Sequence, residues 1–188
     1  MTRGCRRSGL LAPGLRVALA LALTCVGAGP VRGDRNSSED KLPRGALRDR
    51  AHRYQIVIAP GWRPVASPDG TLIAYSAEGG RGLLAVTRID AGTRAASDPA
   101  ALAAQVERGV ERATRDFRRL RRKLASSHRA TTLDLSYQRS SSAGRERVLS
   151  RYLFFTRHTV VLSIGLRADA SRSERRAAEA MVRSFGPF

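Results

Sequence analysis

Apolar residues in this chain recur with two periods, and the order in which the periods change implies the fold class. Tyr54, Ile56 and Ile58 alternate along a first strand, which Pro60 and Gly61 end. Ser67, Pro68, Asp69 and Gly70 supply a turn, and 72–76 and 83–89 read as two further strands joined by the glycine-rich loop 78–82. The period then lengthens. Leu102, Val106, Val110, Ala113, Phe117 and Leu120 recur at steps of four and three, one stripe on a helix expected over 99–122. Asp98 can cap that helix, and Pro99 suits its first position, where a missing N–H leaves nothing unsatisfied.

Alternation returns afterwards at 124–129, 131–138, 147–155 and 159–167, with a flexible loop at 140–144 and a tight hairpin at 156–158. Val160, Leu162, Ile164 and Leu166 face one way, and Val148, Tyr152 and Phe154 are expected as their partners across the sheet. A last helix begins at Ser171, whose spacing to Glu174 is that of a capping box; Ala178, Met181, Val182 and Phe185 form its stripe, and Gly186 and Pro187 stop it. The order βββ-α-ββββ-α predicts an α+β domain over 53–188. In it one antiparallel sheet is packed by two helices, with Trp62, Phe117, Phe154, Met181 and Phe185 in the core.

The start of the chain follows a different pattern. Arg3, Arg6, Arg7 and Arg16 precede the apolar run 17–27, which is too short to span a bilayer and typical of a signal-peptide core. A leader over 1–33 is expected, cut near Asp34, with Val26-Gly27-Ala28 as a second possible site. Arg6 and Arg7 followed by Ser8, Gly9 and Leu10 also fit a twin-arginine address, so general secretion and the twin-arginine route both stay open. Cys25 opens a lipid-anchored alternative, although Thr24 and Ala22 depart from the lipobox pattern. Segment 34–52 is polar, charged and aperiodic, and reads as a linker. Cys5 and Cys25 are the only cysteines, so a domain beyond the leader has no thiol chemistry and no disulfide. No second apolar run follows, and no membrane span is expected there.

Charge narrows the partners. The chain carries 34 basic residues against 16 acidic ones, a formal net charge of +18, and five of the arginines belong to the leader. Only Lys41 and Lys123 are lysines, a bias that fits arginine-rich codon usage. Codon bias does not explain the shortage of acids. An anionic envelope component or an acidic protein surface is the expected partner class, and export argues against nucleic acid.

The order of elements resembles the PsbP-like superfamily, which includes the photosystem extrinsic subunit, a Ran-binding factor and DcrB-type envelope proteins. The resemblance rests on Pro60-Gly61-Trp62 after the first strand, the expected helix from Pro99 to Arg122, the hairpin between Tyr152 and Leu166, and the ending Ala180-Met181-Val182-Arg183-Ser184-Phe185. It implies a binding or assembly factor and brings no catalytic residues with it. The arginine load departs from the family.

Candidate sites are few. His52, His128 and His158 lack metal-ligand spacing, and no cofactor motif is present. The loop 78–82 lacks the lysine and the helix of a phosphate loop. Trp62 reads as a core or rim anchor. Ser127, His128 and Asp134 could form a hydrolytic triad only without the glycine-built elbow such sites use. The strongest pattern is cationic: Arg108, Arg112, Arg115, Arg119 and Arg122 recur at steps of four and three, placing them on one face of the expected helix. A solvated helix face accounts for that spacing; an anion-binding ridge is the functional alternative. The expectation is an exported, non-enzymatic binding or assembly factor of the cell envelope, with a small envelope hydrolase as the other class.

Overall fold

A computed structural model describes residues 44–90 and 98–188. The expected leader, its cleavage site, Cys25 and the start of the expected linker lie outside the described residues. Ten strands and two helices follow in the order β1 (Ala46–Asp49), β2 (Tyr54–Val57), β3 (Trp62–Pro64), β4 (Thr71–Ala77), β5 (Gly82–Ile89), α1 (Pro99–Ala113), β6 (Arg118–Ser126), β7 (Thr131–Ser141), β8 (Gly144–Phe154), β9 (Thr159–Arg167), α2 (Arg172–Ser184) and β10 (Gly186–Pro187). The domain is α+β, as the periodicity predicts.

Seven strands form one antiparallel sheet in the order β3-β4-β5-β9-β8-β7-β6, and β1-β2-β10 form a second, smaller one. The expected single sheet is therefore two. Gly186 and Pro187 do not merely stop α2; they pair with Gln55 and Tyr54. Ala46–Asp49, inside the expected linker, is a half-buried strand lying opposite β2. It shows no apolar alternation because neither of its faces is fully buried.

The large sheet is apolar on both faces. On one, Leu84, Leu153, Val160, Leu162 and Ile164 pack against Ala178 and Met181 of α2, against Phe185 just after it, and against Tyr54 and Ile56. On the other, Leu133, Leu135, Tyr137, Tyr152 and Val161 pack against Ala103 and Val110 of α1. The register corrects one expectation. Leu153 and Leu149 lie opposite Val160 and Ile164, whereas Val148, Tyr152 and Phe154 belong to the α1 face. A slip of one residue reverses every side chain in a strand.

Both helix starts behave as their sequences imply. Asp98 accepts a hydrogen bond from the Ala100 N–H at 2.8 Å. At α2, Ser171 Oγ accepts from the Glu174 N–H at 3.2 Å, and the Glu174 carboxylate accepts from the Ser171 N–H at 2.6 Å. These bonds hold the Glu174 carboxyl below its usual range.

The end of α1 does not follow the expected pattern. The helix stops at Ala113, Thr114 is extended, and Asp116 takes a positive φ of 54°. The chain then pairs with β7 from Arg118 opposite Gln138 to Ser126 opposite Thr131. Pairing along β7 satisfies the backbone groups that a longer helix would satisfy internally. Phe117, expected in the core, is only partly buried and tilts against the Tyr137 ring at 5.2 Å. Leu120, the last residue of the expected stripe, is 43% exposed at a β-bulge.

Trp62 is buried, as expected, and its ring fixes a glycine. A Cβ on Gly82 would sit 2.8 Å from it. The expected flexible loop at 140–144 is shorter than its composition suggests, because β7 runs to Ser141 and β8 restarts at Gly144 with φ 101°.

Candidate functional site

The expected arginine helix face is not one face. Arg108 and Arg112 stand on α1, Arg115 lies in the connection after it, and Arg119 and Arg122 stand on β6. The structure nevertheless reunites part of the set. Glu107 on α1 accepts a hydrogen bond from Arg119 and forms an ion pair with Arg122 at 3.1 Å, and so fastens β6 to the helix. Along β6 the bulge between Arg119 and Arg121 sorts the cations. Arg119 and Arg122, opposite Tyr137 and Leu135, point to the α1 side; Arg118, Arg121 and Lys123, opposite Gln138, Ser136 and Asp134, point to the α2 side.

β6 closes the sheet, is exposed along most of its length, and carries five cations in nine residues. Among the described residues, Arg108, Arg112, Arg118, Arg121 and Lys123 make no ion pair. Part of this pattern is edge protection, since charge and a bulge both discourage strand-to-strand aggregation. Three unpaired cations on the α2 side of one edge strand exceed that need, and they repel one another unless an anion intervenes.

A second basic cluster forms at one end of the large sheet. In an antiparallel run, alternate turns lie at the same end, so the β6–β7 turn and the β8–β9 turn are neighbours. The β1–β2 turn joins them: His158 Nε2 donates to the His52 carbonyl at 3.4 Å. Asp49 builds that turn by accepting from the His52 backbone N–H at 3.0 Å and from its Nδ1 at 2.8 Å. Arg53 follows with a positive φ of 61°, a conformation non-glycine residues rarely adopt. Tyr54 then anchors the chain in the core, where burial, and secondarily the Asp49 carboxylate, push its phenol well above the usual range.

Between the three turns lies a cleft of about 440 Å³, with Arg53, His128, Arg129, Arg157 and His158 among its lining residues and no carboxylate. Phe154 and Phe155 also border it, both buried, the first packed on the α1 side of the sheet and the second on the α2 side. The His158 ring stacks on Phe155 at 4.8 Å. Arg129 Nε donates to His128 Nε2 at 3.2 Å, and because a guanidinium can only donate, that nitrogen accepts. Sequence spacing had separated the three histidines; the fold gathers them. The available signal was that each lies beside an arginine, as His52-Arg53, His128-Arg129 and Arg157-His158, and each of these pairs is in or beside a turn.

The paper triad does not assemble. Ser127 Oγ donates to the Ala130 carbonyl at 3.0 Å and accepts from the Arg129 and Ala130 N–H groups, both at 3.3 Å, which makes it a turn former. Asp134 is engaged elsewhere: Arg151 grips it with two hydrogen bonds, one of 2.8 Å from Nη2. His128 has Arg129, not a carboxylate, on its ring nitrogen. No three metal-ligating side chains come together among the described residues, and no described helix is long and apolar enough to cross a membrane.

No family model matches the chain, and no curated protein matches it in sequence. Solved structures do. The cyanobacterial PsbP protein CyanoP of Synechocystis is 11% identical with a TM-score of 0.57, covering 81% of this chain and 98% of that one. The Ran-binding protein Mog1p of Saccharomyces cerevisiae is 15% identical with a TM-score of 0.52, covering 76% and 94%. LpqN of Mycobacterium tuberculosis, described as involved in cell envelope biogenesis, is 14% identical with a TM-score of 0.50, covering 71% and 83%. At these identities the likeness concerns architecture, and the chain has the PsbP-like fold.

Proposed function

We propose that this protein is an exported, non-enzymatic binding or assembly factor of the cell envelope that docks an acidic protein surface through its α1–β6 edge. The observation that carries the reading is the cationic edge strand, in which Arg118, Arg121 and Lys123 have no ion-pair partner among the described residues and Arg108 and Arg112 extend the charge onto α1. Similar charges held this close destabilise the free protein slightly, and an acidic partner relieves that repulsion. The basic, apolar leader pattern supports export. Two proteins of the same fold, one Ran-binding and one involved in envelope biogenesis, support a role in binding and assembly. The geometry of Ser127, His128 and Asp134 speaks against the hydrolase alternative.

Affinity capture from envelope extract tests the proposal, with wild type run beside the Arg118→Glu, Arg121→Glu double variant. The expected result is one or more acidic proteins retained by wild type and lost from the variant, which still folds. Retention of the same proteins by both would overturn the docking edge. Turnover of ester, phosphate or glycoside substrates that His128→Ala abolishes would overturn the non-enzymatic reading.

A further inference from the structure

We propose that the cleft between the β1–β2, β6–β7 and β8–β9 turns is a binding site for a phosphoryl group carried on a small organic or headgroup moiety. The inference is independent of the docking edge, because no residue of α1 lines the cleft and the cationic stretch of β6 lies outside it. Three arginines, Arg53, Arg129 and Arg157, reach it from three turns that are distant in sequence, and two histidines stand beside them. Among the described residues none of these five side chains pairs with a carboxylate.

The chemistry of the lining selects the ligand class. A carboxylate offers two oxygens in a plane and matches one guanidinium fork. A phosphoryl group offers three or four oxygens arranged tetrahedrally, so several forks arriving from different directions each find an acceptor. With Nε2 accepting from Arg129, a neutral His128 carries its proton on Nδ1 and can donate as well. The volume, about 440 Å³, exceeds a bare phosphate and falls within the ~300–1,000 Å³ of small-molecule sites. Arg53 keeps its left-handed backbone because Asp49 fixes the turn before it and Tyr54 is buried after it, so its side chain is held at the rim.

The test is titration calorimetry of the full chain with glycerol phosphate, inorganic phosphate and acetate. Co-sedimentation with phosphatidylglycerol and phosphatidylcholine vesicles runs in parallel. Arg129→Gln and Arg157→Gln remove cleft cations that are exposed, and Arg118→Glu with Arg121→Glu serves as the control outside the cleft. Binding of glycerol phosphate that each cleft variant weakens by about tenfold or more, as loss of a charge-assisted hydrogen bond implies, supports the site with a soluble ligand. Binding confined to phosphatidylglycerol vesicles and lost in the same variants supports it with a lipid headgroup as the source. Acetate bound as tightly as phosphate, no phosphate or anionic vesicle bound at all, or affinity that follows the control variant instead, would overturn it. Melting curves of the variants confirm that a lost affinity is not a lost fold.

Discussion

On the α2 side of the sheet, Arg151 holds Asp134 with two hydrogen bonds and donates to the Phe185 carbonyl at 3.1 Å, where α2 ends. At the β6 edge, Arg118 and Arg121 hold nothing among the described residues and lie in solvent. The residue type is the same and the physical consequence is opposite. Arg151 satisfies a carboxylate and a helix C-terminal carbonyl in a half-buried position, so the fold depends on it. The edge arginines add only repulsion to the free protein. Arginine abundance alone, which the composition advertises, therefore does not locate function; the partners of each guanidinium do.

The largest expected effect separates core from edge. Phe185 is fully buried, 5.4 Å from the Tyr54 ring, and Phe185→Ala should destabilise by about 3–5 kcal/mol in chemical denaturation. A loss well below 1 kcal/mol would mean that α2 contributes little to the scaffold. Alkaline pH attacks the same scaffold. Burial raises the Tyr54, Tyr137 and Tyr152 phenols above their usual range, so each stabilises the fold fully below the unfolded value. That contribution is lost as pH climbs toward the folded value. Each phenol should cost up to about 1.4 kcal/mol per pH unit above ~10. Arginine stays charged throughout that range, so partner binding should persist until the fold itself gives way.

Smaller effects sharpen the contrast between the two kinds of arginine. Arg151→Ala should cost about 1.5–3 kcal/mol, because it strands the Asp134 carboxylate and the Phe185 carbonyl together. Arg118→Ala with Arg121→Ala should change stability by no more than about 0.5 kcal/mol. Equal losses in the two cases would erase the distinction. Glu107→Gln is smaller still, about 0–1 kcal/mol for an ion pair at the surface. It releases Arg119 and Arg122 and should strengthen partner binding while slightly loosening β6 from α1.

Much of the scaffold was legible because it follows local rules. Asp98 and Pro99 start α1, Ser171 and Glu174 start α2, and Trp62, Phe154, Met181 and Phe185 are buried as their patterns imply. The end of α1 was not. Phe117 and Leu120 fall at helical spacing by coincidence, and only the pairing of 118–126 with β7 decides between helix and strand. That contact is tertiary, and an eleven-residue partner strand outweighs the high helix propensity of a segment made mostly of Arg, Leu, Lys and Ala. β1 escaped notice because a half-exposed edge strand need not alternate. The histidine–arginine cleft was invisible for a third reason: its residues are neighbours only once the antiparallel order of the strands is known, and spacing along the chain carries no trace of that.

The central claim is that Arg118 and Arg121 of β6 bind and do not stabilise, and the affinity for the captured acidic partner as a function of ionic strength tests it most directly. Exposed charges are screened within ~8 Å at physiological salt. Wild type should therefore lose affinity steeply as salt rises, and the Arg118→Glu, Arg121→Glu variant should bind weakly at every salt concentration with an unchanged melting temperature. A flat salt dependence, or a variant that binds as wild type does, would contradict the account.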